Sequence, residues 1–543
     1  MNLFDFSNPN LYIVIALSIV NTIFMCFVAH KFMQIIQICG YDIKRYMAWV
    51  KDTKAKWISR VAFLSLLSFL AMFVCNVLFR NYGYYKLLTY VGLVFYFWFM
   101  LVFIVNMKNV PEKKKFVLTK RAFRIYLLFS LLMIIISFSL LALSFNLNII
   151  FKFSMIAVTP ILIPIILPLC VIILLPLEKL IAKLYLIKAT RKLEKAEPII
   201  KIGITGSYGK TSTKAFLKKM LEKKYEVVAT PESYNTKMGI SKTINKMIKK
   251  NTQIFICEMG ADHIGDIKEI CDFVKPTIGV ITALGNQHLE TFGSYENIEK
   301  TKYELIESLP HTGTAFFNTN DENVKKLYDK CNFMNKVESN FDGNVKIKNV
   351  HINRAGIKFD LIYDDKSYQF KTQILGEQNL QNILLSIVIA LYLQVDIDDI
   401  RDAVSNLKPV YHRLELKQND NGVTIIDDSF NSNEAGTLYA LKTLALFKKN
   451  RKIIATPGLV ELGDREEQAN IEFGRNIADY ADVCIIINKY NKESIKKGLL
   501  EKDFDKNNIY EVESLFLATE LFKTLLQPND VVLLENDLPD NYR

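Results

Sequence analysis

The sequence predicts an α-helical membrane domain followed by α/β domains, and three observations lead to this fold class. The first 180 residues hold nearly all of the long apolar runs. From Ile199 onward, short β-rich runs alternate with amphipathic stretches, which is typical of βαβ units and a parallel sheet. The first of these β-rich runs leads directly into a glycine-containing loop, GSYGKTST. A chain of 543 residues is also long enough for about two to four domains.

The composition argues against a nucleic-acid-binding protein. The formal net charge is +12, but much of the basic excess lies between the apolar runs, as in the cytoplasmic loops of membrane proteins. We therefore expect no nucleic-acid partner. The eight cysteines form no CxxC pair, so neither a disulfide framework nor a zinc ribbon is predicted.

Five apolar runs have the length of about 20 residues that a membrane-spanning helix needs. They cover approximately Leu11–Ala29, Val61–Phe79, Leu87–Val105, Ile125–Ser144 and Phe153–Leu177. We therefore predict a membrane domain over residues 1–180. The first run has no basic segment before it and no small-residue cleavage site after it, so we expect a retained span and not a signal peptide.

The connecting segments predict the orientation of this domain. Seven basic residues lie between the first and second runs, and seven lie between the third and fourth. The other two connecting segments carry two and one. Because basic loops stay on the cytoplasmic side, we expect a multi-pass protein of the cell membrane with its N-terminus outside. Everything after the fifth span is then cytoplasmic.

The fifth apolar run contains Pro160, Pro164, Pro168 and Pro176. Prolines leave backbone carbonyl groups unpaired, which lipid tolerates only where something else satisfies them. The run is therefore either a kinked helix packed against its neighbours or an opened helix that lines a lipid or substrate groove. Residues 181–197 alternate leucine and isoleucine with lysine and arginine, which predicts a basic amphipathic linker helix suited to the inner membrane surface.

The loop GSYGKTST has the features of a phosphate-binding loop between a strand and a helix. Its glycines let the backbone wrap phosphate oxygens, Lys210 supplies a positive charge and Thr211 can ligate Mg²⁺. The strict pattern has a further glycine where Ile204 stands, but the strand, loop and helix follow in the right order. The residues expected to contact the nucleotide here are Gly206, Ser207, Tyr208, Gly209, Lys210, Thr211 and Ser212.

The segment TGSYGKTST resembles the ATP loop of the Mur ligases, which join amino acids or peptides onto cell-wall precursors. Further blocks follow in the family's order, and they most resemble the member that adds D-alanyl-D-alanine. They are ESYNTKMGIS, EMGADHIGDI, VITALGNQHLETFGSYENIEKTKYELI, FNTNDENV, LGEQNLQNILLSIVIA, YHRLE and IIDDSFNSNEAG. The resemblance implies a P-loop ATPase-like central domain over residues 198–410 and a Rossmann-like C-terminal domain over residues 411–543.

The resemblance also implies ATP and Mg²⁺ as cofactors and an acyl phosphate as the activated carboxylate. Anionic attacking and leaving groups repel until cations lie between them, and oxygen ligands suit Mg²⁺. Thr211 is expected to hold the first metal ion. Glu258 and His288 resemble ligands of the second, and Lys302 resembles the lysine that carries a carbamate formed from CO₂.

Three residues resemble further parts of the family's site. Asn318 is similar to the asparagine that contacts adenine, and Arg413 is similar to the arginine that reaches the phosphates from the next domain. Asp428, followed by Asn431, resembles the acidic residue of the C-terminal domain that closes over the site. The residues expected to act in catalysis are Lys210, Lys302, His288, Arg413 and Asp428.

Two departures from the family concern the substrates. Apolar runs stand where soluble members have a small domain that grips the UDP part of the precursor. Glu535, Asn536 and Asp537 stand where the family pattern has Lys-Gly-Ser after a strand. The expected partners are a cell-wall or envelope-glycan precursor, which the departures allow to be lipid-linked, and an amino acid or a D-alanyl-D-alanine-like dipeptide.

Three alternatives stay open at this point. One is a polyglutamate-type capsule ligase, which also couples a membrane segment to a related ATP site. Another is an ATP-driven transporter, although no transporter-specific ATPase signature is evident. A non-catalytic nucleotide sensor is expected to have lost Lys210, Glu258 or Lys302, and all three are present.

Overall fold

The computed structural model describes residues 9–52, 56–79, 85–108, 115–147, 153–419, 421–430, 432–487 and 490–537. Segments 53–55 and 109–114, which carry part of the predicted basic loops, lie outside the described residues, as does Asn431. The chain divides into two units, the first ending at Ala182 and the second beginning at Lys183.

A helix lies at each of the five predicted spans of the first unit. The helices are α1 (Pro9–Ile38), α2 (Ile43–Asp52), α3 (Lys56–Phe79), α4 (Tyr85–Lys108), α5 (Lys120–Leu147) and α6 (Thr159–Lys195), the last of which continues into the second unit. Among the described residues, four helices are long and apolar enough to cross a membrane: Asn10–Ile38, Arg60–Leu78, Lys120–Ser144 and Ser154–Lys195. The apolar part of α4 is shorter, Tyr90–Val105.

The helices of the first unit are apolar on their outer as well as their inner faces. Met72 and Phe129 are fully buried between helices, whereas Phe63, Val94 and Ile165 point outward with about two thirds of their side chains exposed (65%, 68% and 65%). Helices that are hydrophobic all round are typical of a membrane span or of the core of a large protein. This pattern supports the prediction of a membrane domain, with the outer face covered by lipid.

A buried polar cluster connects four helices of this unit. The Asn21 side-chain amide on α1 donates to the hydroxyl groups of Ser137 on α5 (2.9 Å) and Thr159 on α6 (3.0 Å). The Tyr96 hydroxyl on α4 donates to the Asn21 side-chain oxygen at 2.8 Å. All four side chains are inaccessible to solvent. Because a polar group in an apolar interior is costly unless it is hydrogen-bonded, the cluster selects one packing arrangement of these helices.

Helix α6 is continuous from Thr159 to Lys195, with Pro164, Pro168 and Pro176 inside it. The fifth predicted span and the predicted linker helix at 181–197 are therefore one element. No residue between them breaks the helix, since the connecting sequence is Leu-Glu-Lys-Leu. The structure thus shows the continuous helix, and the alternative of an opened helix is not observed.

The C-terminal part of α6, from Lys183 onward, belongs to the second unit and packs within it. Ala189 and Leu193 are buried against Ile240 and Ile244, and the Lys192 ammonium donates to the Asn245 carbonyl oxygen at 2.8 Å. This apolar face is therefore covered by protein and not by a membrane surface. The prediction of an interfacial helix can apply only to the remaining exposed apolar side chains of this segment.

The second unit contains three sheets. The first has the order β2-β3-β1-β4-β5-β6, the second β7-β8-β9 and the third β10-β11-β15-β12-β13-β14. Their strands are β1 (Ile200–Thr205), β2 (Val227–Ala229), β3 (Ile254–Glu258), β4 (Ile278–Ile281), β5 (Thr314–Asn318), β6 (Lys336–Ser339), β7 (Lys346–Asn353), β8 (Gly356–Tyr363), β9 (Lys366–Thr372), β10 (Glu415–Gln418), β11 (Thr424–Asp428), β12 (Lys452–Thr456), β13 (Val483–Ile487), β14 (Ile509–Val512) and β15 (Val531–Glu535).

The first sheet is entirely parallel, and the third is parallel except for its edge strand β10. Helices cover the sheets: α7 (Lys210–Leu221), α8 (Lys237–Met247), α9 (Asp266–Val274), α10 (Leu289–Phe292), α11 (Tyr295–Glu307), α12 (Glu322–Lys330), α13 (Glu377–Tyr392), α14 (Ile397–Ser405), α15 (Glu434–Leu444), α16 (Glu466–Tyr480), α17 (Lys492–Leu500) and α18 (Leu515–Leu525). This confirms the α/β part of the predicted fold class.

The two parallel sheets determine where a ligand can bind. In open α/β sheets, ligands bind outside the carboxyl ends of the strands. Strand β1 lies between β3 and β4, and its inward residues Ile202 and Ile204 are fully buried. The loop that follows β1 therefore leaves the middle of a rigid sheet at its carboxyl edge.

The buried polar cluster generates a prediction about the stability of the first unit. Asn21→Leu removes three hydrogen bonds and leaves the polar groups that shared them in an apolar interior. We therefore expect the free energy of unfolding to fall by about 1–3 kcal/mol. The measurement is thermal melting of the full-length protein in detergent. Ile23→Leu, an outward-facing change two residues away, serves as the control. Equal melting temperatures for the two variants would contradict a stabilising role for the cluster.

Candidate active site

The loop after β1 is shaped by two glycines with positive φ angles. Gly206 has φ 147° and Gly209 has φ 82°, and L-residues rarely adopt either conformation. A Cβ atom at Gly206 would collide with the Thr282 hydroxyl, and one at Gly209 would lie 2.7 Å from the Asn382 side-chain oxygen. The backbone therefore passes close to its neighbours and leads into α7, and the N-terminus of a helix after such a loop favours a phosphate.

Lys210 lies at the first turn of α7 and folds back over this loop. Its ammonium donates to the carbonyl oxygens of Gly206 (2.6 Å) and Ser207 (2.9 Å). Burial lowers the pKa of Lys210 to about 8; the Glu258 carboxylate opposes this shift and the Arg413 cation adds to it. An anionic ligand in the loop would favour the charged ammonium, which fits the predicted phosphate-binding role.

The other loop residues are anchored to neighbouring strands. The Ser207 hydroxyl bonds with the backbone of Gly285 at 3.0 Å, and the Tyr208 hydroxyl donates to the Asp321 carboxylate at 2.7 Å. The Thr282 hydroxyl donates to the Tyr208 carbonyl oxygen at 2.5 Å. Because the Ser207 and Tyr208 side chains are held in place, we expect the loop to need little rearrangement to bind a phosphate.

Glu258 ends β3 with its side chain almost fully buried (1% exposed). Its carboxylate accepts from the Lys214 ammonium at 2.7 Å and from the Asn235 side-chain amide at 3.2 Å. Lys214 is also buried, so each charge is compensated by the other. Sequence reasoning found Glu258 but missed Lys214, which lies four residues beyond Lys210 and directly after the motif GSYGKTST.

Lys302 is 4% exposed, although it lies on a helix with a solvent-facing side. Its ammonium lies 5.5 Å from the centre of the Phe292 ring. Burial lowers the pKa of Lys302 to about 7, and the neighbouring Lys210 cation contributes to this shift. A large fraction of this side chain is therefore a neutral amine near pH 7.

Arg413 and Asp428 come from the last part of the chain. The Arg413 guanidinium lies 4.5 Å from the centre of the Phe430 ring. Burial lowers the pKa of Arg413, while Asp428, Glu258 and Glu535 favour its charged form. Burial raises the pKa of Asp428 to about 6, against the effect of Arg413. The two groups are thus close enough to stabilise each other's charges.

These residues line one cavity of about 420 Å³ within the second unit. Its walls include nearly all of the predicted site residues: Ser207, Tyr208, Gly209, Lys210, Thr211, Ser212, Glu258, His288, Lys302, Arg413 and Asp428. The structure therefore brings together the loop after β1, the end of β3, helix α11 and the end of β11. This arrangement can hold an anionic ligand between two α/β layers.

His288 is placed at the cavity by a contact that the sequence did not predict. It has a left-handed backbone conformation (φ 56°), and its Nδ1 atom lies 2.6 Å from a carboxylate oxygen of Glu461. Glu461 follows β12 and thus belongs to the other sheet of this unit. Only Nε2 is then left for the predicted metal contact.

Asn318 is not among the described residues that line the cavity. It ends β5 in a buried position, where its amide donates to the Thr282 carbonyl oxygen at 2.9 Å. Its side-chain oxygen accepts from the Asn320 amide at 3.0 Å. Asn320 thus positions Asn318. The contact of Asn318 with adenine stays a prediction.

The chemistry of the cavity fits Mg²⁺ if the nucleotide phosphates supply part of its ligand shell. Mg²⁺ is usually held by one or two carboxylates, water and substrate phosphates. The cavity offers the Thr211 hydroxyl and the Glu258 carboxylate. No group of three or more His, Cys, Asp or Glu side chains that could hold a metal ion occurs within the described ranges. The protein alone therefore offers few ligands for the ion.

Comparison with known proteins agrees with this geometry. The family description "Mur ligase middle domain" matches residues 204–390, and "Mur ligase, glutamate ligase domain" matches residues 412–535. The chain is 33% identical over 356 residues to the UDP-N-acetylmuramoyl-tripeptide--D-alanyl-D-alanine ligase of Mycobacterium tuberculosis strain CDC 1551 / Oshkosh, covering 62% of this chain and 69% of the relative. For strain H37Rv, a match of 33% over 247 residues covers 45% of this chain and only 48% of the relative. The Bacillus subtilis ligase of the same name is 29% identical over 310 residues, covering 57% and 66%.

Solved structures show the same fold. The chain is similar to MurF from Acinetobacter baumannii with a TM-score of 0.60 and 22% identity, covering 66% of this chain and 78% of that one. It is also similar to MurF ligase from Thermotoga maritima in complex with ADP, with a TM-score of 0.56 and 24% identity, covering 64% and 79%.

The position of Lys210 generates a prediction about nucleotide binding. Lys210→Ala removes the ammonium from the loop, so we expect the affinity for ATP to fall about ten- to hundredfold, since a charged hydrogen bond contributes about 1.5–3 kcal/mol. Calorimetric titration with ATP and Mg²⁺ measures the effect. Lys218→Ala on the same helix is the control, because Lys218 forms only an exposed ion pair with Glu222. If both variants bind ATP as the unmodified protein does, the phosphate-binding role is wrong.

Proposed function

Because the chain belongs to the Mur ligase family, we propose that it joins an amino acid or a D-alanyl-D-alanine-like dipeptide to a cell-wall precursor or related envelope glycan. Members of this family are ATP-dependent, ADP-forming ligases. The names of its relatives describe ligation of D-alanyl-D-alanine to a UDP-linked muramoyl tripeptide. We place the reaction at the inner face of the membrane.

One observation supports this proposal above all: one cavity is lined by the loop after β1 and by Arg413 and Asp428, which lie before and within the third sheet. An ATPase needs only the phosphate-binding loop. A ligase must also hold a second and a third substrate next to the terminal phosphate, so it needs walls from more than one layer. The C-terminal layer supplies those walls here.

The residues of the cavity suit activation of a carboxylate by phosphoryl transfer. The acceptor carboxylate attacks the terminal phosphate of ATP, giving an acyl phosphate and ADP. Lys210 and Arg413, facing the cavity from the two layers, would bind the phosphate oxygens and stabilise the charge that builds up on them. Bound Mg²⁺, held by Thr211 and Glu258 with the phosphates, would neutralise further negative charge between the two anions.

The amide bond then forms when an amine attacks the acyl carbon and phosphate leaves. The amine must first lose a proton, because an ammonium has no free electron pair. Asp428 lies in the wall formed by the C-terminal layer, with a pKa of about 6. It is therefore largely ionised at pH 7 and able to accept this proton.

We further propose that the first unit selects a membrane-associated acceptor. Its helices are apolar on their outer faces, and α6 runs without interruption into the segment that packs on the α/β unit. A catalytic unit attached in this way is confined near the membrane. Confinement raises the effective concentration of a lipid-linked substrate without any new contact.

Comparison of the full-length protein with residues 183–543 tests both proposals. Each protein receives ATP, Mg²⁺ and alanyl-alanine, with either a UDP-linked or a lipid-linked precursor, and ADP formation and the mass gain of the acceptor are measured. We expect ADP formation to require the amine, and the full-length protein to prefer the lipid-linked precursor at least about tenfold. Folding of the shorter protein is checked by ATP binding.

Two outcomes would contradict these proposals separately. ADP formation that is independent of the amine and acceptor would rule out a ligase and favour a transporter or sensor. If the shorter protein ligates the UDP-linked precursor as fast as the full-length protein does, the first unit is only an anchor.

The environment of Lys302 generates a prediction about carbamylation. A neutral amine is the form that reacts with CO₂, and burial makes that form abundant near pH 7. With ¹³C-labelled bicarbonate, we expect a carbamate signal in the NMR spectrum that is absent from Lys302→Ala. Ligase activity of this variant should fall about ten- to hundredfold, while ATP still binds. Lys300→Ala, an exposed change on the same helix, is the control; full activity of Lys302→Ala without CO₂ would contradict the carbamate.

A further inference from the structure

Helix α6 is longer than a membrane span requires. Its 37 residues, Thr159–Lys195, extend about 55 Å at about 1.5 Å per residue, whereas the hydrocarbon core of a bilayer is about 30 Å thick. The first charged residue of the helix is Glu178, which follows an uninterrupted uncharged stretch. If that stretch spans the core, the part of α6 after Glu178 reaches the lipid headgroups and extends beyond them.

The part of α6 that belongs to the second unit, from Lys183 onward, has an exposed side that is both apolar and basic. The Leu184, Tyr185 and Ile187 side chains are 57%, 46% and 37% exposed. The charged residues around them are basic with one exception: Lys183, Lys188, Arg191, Lys192, Glu194 and Lys195. Exposed apolar side chains beside lysine and arginine are typical of a helix at an anionic membrane surface.

Helix α8 packs on the opposite face of α6, and its C-terminal end is also basic. Asn245 of α8 joins the two helices. Its side-chain amide donates to the Tyr185 carbonyl oxygen at 2.9 Å, and its own carbonyl oxygen accepts from the Lys192 ammonium at 2.8 Å. Four exposed lysines, the α8 lysines, lie from the middle of this helix into the turn after it: Lys242, Lys246, Lys249 and Lys250. Asn245 thus holds this basic end of α8 next to α6.

No acid of the protein neutralises the α8 lysines. The chain has no acidic residue between Glu232 and Glu258, and none of the four lysines forms an ion pair within the described ranges. Lys237, at the start of the same helix, does pair with Glu269 at 2.6 Å. Like charges on neighbouring turns destabilise a helix. The fold therefore gains nothing from this cluster of cations, whereas an anionic surface would stabilise it.

We propose that the α6–α8 surface binds the headgroups of anionic phospholipids. This surface consists of the exposed side of α6 from Lys183 to Lys195 together with the α8 lysines. The apolar side chains of α6 enter the boundary between headgroups and acyl chains, and the ammonium groups bind lipid phosphates. Helix α8 reaches this surface only because it packs on α6. The proposal concerns the lipid and does not depend on the reaction carried out in the cavity.

Acylation of lysines by an N-hydroxysuccinimide ester, followed by mass spectrometry, measures this contact in the full-length protein. The protein is placed in nanodiscs of phosphatidylcholine alone, or of phosphatidylcholine and phosphatidylglycerol in equal parts. We expect the α8 lysines to react about fivefold more slowly in the anionic discs, and about 1 M salt to remove the difference. Lys348 on β7 and Lys371 on β9 are exposed internal controls whose rates should stay unchanged.

The double variant Lys242→Gln, Lys246→Gln removes two of the charges from the surface. We expect Lys249 and Lys250 to lose at least about half of their protection in anionic discs, because fewer cations then hold this end of α8 at the lipid. ATP binding should stay unchanged, since neither substituted residue lines the cavity. The matched control, Lys348→Gln with Lys371→Gln, removes two exposed charges elsewhere and should leave the protection intact.

Three outcomes would overturn the proposal. One is an equal reaction rate of the α8 lysines in the two kinds of disc. Another is equal protection of Lys348 and Lys371, which would indicate a general effect of anionic lipid and not a specific surface. The third is protection by glycerol 3-phosphate in phosphatidylcholine discs, which would indicate a soluble anion as the ligand.

Discussion

The arrangement of the second unit brings three basic side chains to one cavity, and their positive charges repel one another. Lys210, Lys302 and Arg413 lie close enough for the Lys210 charge to be disfavoured by Arg413 and the Lys302 charge by Lys210. Removing each group from water also costs free energy. Carboxylates such as Glu258 and Asp428 offset part of this cost. A polyanion such as a nucleoside triphosphate would favour the charged forms of Lys210 and Arg413 at once.

This constraint explains why the site is divided between two sheets. The loop after β1 provides backbone amide groups and Lys210 at the carboxyl edge of the first sheet, whereas Arg413 precedes the first strand of the third sheet. Contacts between the two layers, such as His288 with Glu461 at 2.6 Å and Asn286 with Glu434 at 3.0 Å, hold the cavity in place. A change in the separation of the layers would therefore alter charge neutralisation and substrate position together.

The sequence predicted the parts of the site that depend on local structure. The glycine loop with Lys210 and the strand end at Glu258 can be read from a strand, a turn and a helix in succession. The partner of Glu258 could not, because Lys214 reaches it only when α7 and β3 lie side by side. The bond between His288 and Glu461 likewise joins residues of two sheets. Helix α6 was predicted as two elements because the composition changes from apolar to basic amphipathic near residue 178, although the helical backbone continues through that change.

The C-terminal layer brings a cation and an acid together at the cavity. Arg413 and Asp428 both line it, and their opposite charges offset each other. At the end of β15, Glu535 lies fully buried beside Asp428, and burial together with the Asp428 charge raises the pKa of Glu535 well above its ordinary value. The Arg413 cation opposes this shift. The ionisation of this strand end is therefore coupled to the charges at the neighbouring cavity, because burial leaves little water to screen them.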